Sequence, residues 1–364
     1  MSERSILSGL TPRELGYFMP PEWHRHEATW LTWPTNPVTW PDGRLERVQA
    51  VYVDAIRTLI QGERVRILVD APEEAELLRE RLHRTGDIEL GRVEIFIIPT
   101  VDAWIRDYGP NFLLRQTERG WEKGANRWRF NAWGGKYPDL EGDDAVAPQI
   151  LEALGVPYFE PGIVLEGGSI EVNGAGLCLT TRQCLLNPNR NPHLDAREIE
   201  RTLRDYLGVR EVIWLEEGIA GDDTDGHVDD VARFVAPDLV VAAYEPDPAD
   251  PNHAPLREVR RELRRRQAAG YFRVLDLPMP EPLWDGDQRL PASYANFYIA
   301  NRTVLVPCFG CRQDGAALGI LRQVFPGREV VPIDARDLVY GLGAIHCLSQ
   351  QEPAVPGGPF SRSA

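Results

Sequence analysis

The chain lacks long apolar runs. Its longest apolar stretches, such as Leu239–Tyr244, fall far short of the ~18 residues a membrane-spanning helix needs, so no membrane partner is expected. Its start, MSERSILSGLTPRELGYFMP, shows no basic segment followed by an apolar core, and so no secretory signal. Cysteine is sparse and odd in number: Cys178, Cys184, Cys308, Cys311 and Cys347 make no disulfide framework and read as reduced thiols of a cytoplasmic protein. Positive charge is in deficit. Forty Lys+Arg stand against 55 Asp+Glu, a net charge of −15, which argues against a nucleic-acid partner and suits a cationic one.

What the chain has is apolar content and turns. Hydrophobic residues are 43% of 364, enough for a sizeable core, and the length leaves open two domains or one large repetitive one. The second half repeats a pattern. Ser169–Thr181 reads as a hairpin around Asn173-Gly174; a helix over Ala196–Leu207 follows, with Asp195 as its N-cap, then a strand over Val212–Leu215. The order recurs as hairpin Val231–Tyr244 around Pro237-Asp238, helix Pro255–Ala268 and strand Phe272–Leu277. It recurs again as hairpin Asn296–Pro307 around Asn301, helix Gly315–Phe325 and strand Glu329–Ile333. Ile170, Ala232 and Phe297 are spaced by 62 and 65 residues. In the first half, helix Arg47–Leu59, strand Val65–Val69, helix Glu73–His83 and strand Val93–Ile98 lead to a hairpin of Asn111–Arg115 with Trp128–Asn131. A recurring strand–strand–helix–strand unit predicts repeated α/β modules closing on one another. The segment Glu352–Ala364 reads as disordered from its Pro, Gly and Ser content, and 1–353 is taken as one catalytic domain, with 354–364 as the tail.

Polar groups sit at matching places in these modules. Asp107 precedes the first hairpin and Glu166 the second; His227 and Asp229 precede the third, Asn296 opens the fourth, and Cys347 opens a last, truncated unit. If the modules are related by rotation about an axis, these ends meet there. Carboxylates, one His and one Cys converging is a nucleophilic site in outline. Bidentate carboxylates fit the fork of a guanidinium, so Asp107 and Asp229 would clamp that group with its central carbon facing a Cys347 thiolate. His227 would protonate the departing amine and then activate water, with Glu166 orienting it.

The segments WHRHEATWLTWP (23–34), WIRDYGP (104–110), FNAWGGKY (130–137), LEGGSI (165–170), LLNPNRNP (185–192), GDDTDGHVDD (221–230), SYANFYIANRTVLVP (293–307) and GAIHCLSQQEP (343–353) together resemble the agmatine deiminase family, related to the bacterial peptidylarginine deiminases. The resemblance implies the five-bladed pseudosymmetric α/β propeller (pentein) fold and hydrolysis of agmatine to N-carbamoylputrescine and ammonia through a thiouronium on Cys347. It implies no metal and no cofactor. It places the acid/base on His227, its partner on Glu166, the guanidinium carboxylates on Asp107 and Asp229, and site-lining positions at Trp104 and Asp223. Asn296 is added as a substrate contact, and self-association into a homodimer is compatible with the sequence. Alternatives are deimination of peptidyl or free arginine, an amidinotransferase, or a guanidine-binding module without turnover.

The chain departs from the family at Tyr108, at Asp223 (one methylene shorter than the usual Glu), and at Leu342 and Ala344, which interrupt a glycine run. Arg106 is expected to point away from the site beside an inward Asp on an extended segment, and His346 to face away from Cys347. Cys308 and Cys311 read as a surface turn, Cys178 and Cys184 as core, His24 and His26 as structural or surface groups, and Arg257–Arg266 as a solvated helix face.

Overall fold

The computed structural model describes residues 6, 7 and 9–357. Strand β1 (His26–Thr32), helix α1 (Arg44–Leu59), β2 (Arg64–Val69), α2 (Pro72–Thr85) and β3 (Val93–Ile97) alternate, and the three strands pair in parallel. Helix α1 forms because Val48, Tyr52, Ile56 and Leu59 recur at helical spacing and bury one face, while β2 is apolar because it has a neighbour on each side. A one-turn helix α3 (Ile105–Tyr108) precedes the hairpin β4 (Asn111–Thr117) and β5 (Gly120–Asn126). Helices α4 (Ala132–Gly135) and α5 (Val146–Leu154) then lead to β6 (Tyr158–Phe159), parallel to β5.

The order repeats. Hairpin β7 (Glu171–Val172) and β8 (Leu177–Thr181) is followed by α6 (Arg182–Leu185), α7 (Ala196–Leu207) and β9 (Glu211–Leu215), parallel to β8. The Asp195 carboxylate accepts from the Arg197 and Glu198 amides, and Glu198 returns a bond to the Asp195 amide, so α7 starts where its sequence predicts. Next come β10 (Ala232–Ala236), β11 (Leu239–Tyr244), α8 (His253–Ala268) and β12 (Arg273–Pro278), and a small hairpin β13 (Trp284–Asp285) and β14 (Gln288–Arg289). Then follow β15 (Tyr298–Ile299), β16 (Thr303–Cys308), α9 (Gln313–Val324) and β17 (Glu329–Asp334). The last strand, β18 (Ser349–Pro353), pairs antiparallel with β1, Leu31 opposite Ser349.

The truncated unit is therefore completed by the other end of the chain: β18 and β1 are its antiparallel pair, α1 its crossover and β2 its parallel third strand. Among the described residues, five sheets share this order, apart from the β13–β14 hairpin. Where the sheets meet, the buried centre is charged. Arg233 bonds Glu171 at 2.8 Å and Glu22 at 2.9 Å, and Arg106 reaches Glu22 at 3.4 Å.

Some expectations need correction. Trp128–Asn131 is not the second strand of the first hairpin; β5 fills that place, a polar strand whose outer half is partly exposed and so carries little apolar signal. Asp107 lies on helix α3 instead of an extended segment, and His346 and Cys347 lie in a turn before β18. Glu352 is not disordered: it is buried in β18, and the Ala354 amide donates to the Arg25 carbonyl at 2.7 Å. Residues 358–364 of the expected tail lie outside the described residues. No described helix is long and apolar enough to cross a membrane.

Candidate active site

Asp107, Glu166, His227, Asp229 and Cys347, far apart in sequence, are all buried and lie close together. Helix α3 presents Asp107, whose Oδ2 accepts from Trp133 Nε1 at 2.9 Å and whose Oδ1 accepts from the Gly168 amide at 3.0 Å. His227 sits with Nδ1 3.7 Å from Asp107 Oδ1 and Nε2 3.9 Å from Glu166 Oε2. Asp229 Oδ2 is 3.9 Å from Cys347 Sγ. These groups converge around Gly168: a Cβ there would lie 2.6 Å from His227 Nδ1, 2.9 Å from Asp107 Oδ1 and 3.0 Å from Asp229 Oδ2. Only glycine leaves that room, which is why the LEGGSI turn carries one here.

The electrostatics follow from burial and crowding. Burial raises the Asp107 carboxyl to about 6, the charges of Asp229 and Glu166 adding to the effect while His227 opposes it. Burial would lower the His227 imidazole, but Asp107 above all, with Cys184 and Glu166, carries it well above its ordinary range. Burial would raise Glu166, yet the Arg190 guanidinium, bonded to Oε1 at 2.6 Å, brings it below the usual value. Burial pushes the Cys347 thiol far up, and Asp229, Asp230 and Asp107 push the same way. The free site therefore holds a protonated thiol facing carboxylates.

Cys347 opens on a cleft of about 530 Å³. Its wall includes the predicted Trp104, Asp107 and Asp223, together with Trp133, Tyr137 and Lys136. The Tyr137 hydroxyl bonds the Asp223 carboxylate, and Lys136 bonds the Asp223 carbonyl and the Asp225 carboxylate. Among the described residues, four aspartates (Asp102, Asp107, Asp139 and Asp223) line this cleft against one cation, Lys136. Asn296 lies beneath the thiol, off the cleft wall: its Nδ2 donates to Cys347 Sγ at 3.1 Å, and its Oδ1 accepts from the His346 amide at 2.9 Å. Arg106 points away, donating to Gln351 at 2.7 Å and to the His346 carbonyl at 3.2 Å. Tyr108 turns into the core, where its hydroxyl donates to the Asp102 carbonyl.

Sequence reasoning passed over several residues. His346 does face away from the cleft, but it is wedged between Asp229 and Glu22, each ring nitrogen 2.7 Å from a carboxylate oxygen. The ring thereby holds Asp229 in place. Trp133 reaches Asp107 because Ala132 and Trp133 take left-handed backbone at φ 50° and 54°, a conformation held by the Asn131 cap on the Gly134 amide. Arg190 could have been suspected from LLNPNRNP. His346 and Cys184 read from the sequence as a residue turned from Cys347 and as core, because their partners lie in distant segments.

Known proteins resemble this chain over nearly its whole length. The agmatine deiminase of Stutzerimonas stutzeri is 39% identical over 377 residues, covering 97% of this chain and 98% of the relative. That of Pseudomonas aeruginosa is 40% identical over 369 residues, covering 94% and 97%. Among solved structures, the agmatine deiminase of Enterococcus faecalis superposes with a TM-score of 0.88 at 33% identity, covering 96% of this chain and 99% of that one. The C. jejuni agmatine deiminase, a cysteine-to-serine variant with substrate bound, gives 0.83 at 31% identity, covering 93% and 97%. The α/β fold is thus the one these enzymes share. A family model matches residues 18–353, nearly the whole chain, and the chain belongs to the Porphyromonas-type peptidyl-arginine deiminase family.

Proposed function

We propose that this protein hydrolyses agmatine to N-carbamoylputrescine and ammonia, with Cys347 as nucleophile. The observation that carries the reading is a buried thiol at the floor of an acidic cleft, with Asp107 and Asp229 beside it and the His227 ring 3.7 Å from Asp107. A guanidinium bound between the two carboxylates cancels the charges that keep the thiol protonated, so the substrate itself releases that proton to solvent. The thiolate attacks the guanidinium carbon. The His227 imidazolium gives its proton to the leaving nitrogen, the C–N bond breaks and ammonia departs, leaving a thiouronium on Cys347. Neutral His227 then takes a proton from water, hydroxide adds to the same carbon, and the C–S bond breaks to free the thiolate as the hydroxyl proton passes to solvent, leaving the urea product. Glu166, held by Arg190, keeps His227 oriented and charged.

Substrate choice is read from the cleft wall. Agmatine is a dication, which suits four aspartates against one lysine, and Arg106, the nearest arginine to Asp107 in sequence, is turned into the core. An arginine substrate would need a cation for its α-carboxylate, and Lys136 is already paired with Asp225 at 2.7 Å. The test compares ammonia release from agmatine, free arginine and an arginine-terminated peptide. Agmatine is expected to have the highest kcat/KM; a higher value for either arginine substrate keeps the chemistry and reverses the substrate assignment. Cys347→Ser should bind agmatine without turnover, and full activity in that variant would remove the nucleophile.

A further inference from the structure

Beside His227 and Glu166 lies a thiol that the proposed reaction does not use. Cys184, on helix α6, is fully buried. Its Sγ, a ring nitrogen of His227 and a carboxylate oxygen of Glu166 all lie within 4.8 Å of one another. Two of these groups have spare capacity. Glu166 bonds Arg190 through Oε1 and leaves Oε2 without a hydrogen-bond partner, and both ring nitrogens of buried His227 are likewise unpartnered. Buried polar atoms are rarely left so, and two of them, His227 Nε2 and Glu166 Oε2, facing each other beside a thiol invite a shared ligand.

We propose that Cys184 Sγ, His227 Nε2 and Glu166 Oε2 form a binding site for a zinc-class divalent cation, which takes His227 out of the reaction when it binds. A thiolate, an imidazole and a carboxylate are a donor set for zinc and its soft neighbours, and not for magnesium or calcium. Thiolate and carboxylate balance the two positive charges. Tetrahedral zinc needs these donors about 3.3–3.5 Å apart, so the 3.9 Å between Nε2 and Oε2 must close by only a few tenths of an ångström. Asp107 Oδ1, 3.7 Å from Nδ1, stands where a metal-bound imidazole usually finds its supporting carboxylate. Binding releases two protons to solvent, that of the Cys184 thiol and the one the imidazolium carries at Nε2, and the metal then occupies the nitrogen that faces Glu166. Only the loss of turnover rests on the role given to His227 above; the binding does not.

The test titrates metal-free protein with Zn²⁺, and with Co²⁺ as a spectroscopic probe. One equivalent should bind with proton release and a thiolate-to-cobalt absorption band, unchanged in Cys347→Ser and lost in Cys184→Ser, which should bind at least about tenfold more weakly. Agmatine turnover by the wild type should fall as zinc binds and return with a chelator. If agmatine is not turned over at all, the functional reading fails while the spectra still decide the site. X-ray absorption on zinc-loaded Cys347→Ser, which needs no Cys184 variant to fold, should show one sulfur neighbour at about 2.3 Å. No sulfur overturns the proposal; two sulfurs place the metal at Cys308 and Cys311 and overturn it as well. A cobalt band that survives in Cys184→Ser but vanishes in Cys347→Ser assigns the metal to the nucleophile and does the same.

Discussion

Cys347 meets carboxylates on several sides, and the residue-scale consequence is a site that is idle until a cation arrives. The same crowding acts on the clamp. With its carboxyl raised to about 6, Asp107 is a neutral acid below that pH and a carboxylate above it, and only the carboxylate can hold a guanidinium. kcat/KM for agmatine is therefore expected to fall as pH drops through about 6. In kcat, where bound substrate already favours the ionised form, the fall should come at lower pH. Trp133→Phe removes the N–H that stabilises the carboxylate, so its acidic limb should move upward in pH and kcat/KM near neutrality should drop about tenfold. Paired pH profiles of the two proteins check both statements. An unmoved limb would mean that another group titrates there.

At the scale of elements, the loops carry the site and the sheets hold the loops. The turn before the nucleophile illustrates how closely. Trp104, the N-cap of α3, packs against this turn, and a Cβ at Gly343 would come within 2.4 Å of its ring. Leu342, next to it, takes φ 67°, a left-handed conformation usually left to glycine. The missing glycine at 342 is thus absorbed as backbone strain, while a Cβ at Gly341 would also meet the Trp104 ring, at 2.8 Å, so the tightest of these positions is 343. Gly343→Ala should push Trp104 off the cleft wall, costing about 1–3 kcal/mol of stability and at least about tenfold in kcat/KM. Thermal unfolding and steady-state rates together separate this from a simple loss of fold. Of the repeating hairpins, helices and strands, most are readable from period and turn chemistry, because α7 or β11 declares itself locally. Strand β5 is not, since a partly exposed polar strand is specified by its partner β4 instead of by apolar content.

For the whole molecule, closure depends on the seam between β1 and β18. Glu352 sits at that seam, accepting from Trp30 Nε1 at 2.9 Å and Lys123 Nζ at 2.5 Å and pairing with Arg66 as well. Burial alone would raise its carboxyl; the Lys123 and Arg66 charges bring it below the ordinary value. A carboxyl lowered in the folded state stabilises it above the unfolded pKa, and that contribution disappears as pH falls through the folded one. Glu352→Gln leaves buried Arg66 and partly buried Lys123 each one carboxylate partner short and should cost about 3 kcal/mol at neutral pH. Urea denaturation should show the gap between variant and wild type narrowing below about pH 4. A constant gap would assign the cost to packing.

The sequence by itself determined the module order, the capping of α7, the acidic balance that favours a cation, and the set of polar residues at module ends. These are local or compositional properties, set by periodicity, turn residues and charge. Tertiary structure alone decided how the ends of the chain meet. A strand such as β18 earns its hydrogen bonds from a partner more than 300 residues away, and no local pattern reports that. It also decided the surroundings of the site: His346 locked between Asp229 and Glu22, Asn296 holding the thiol from below, and Cys184 set against His227 and Glu166. Those roles arise from burial and from distances between distant segments, so the residues that carry them look ordinary until the chain has folded.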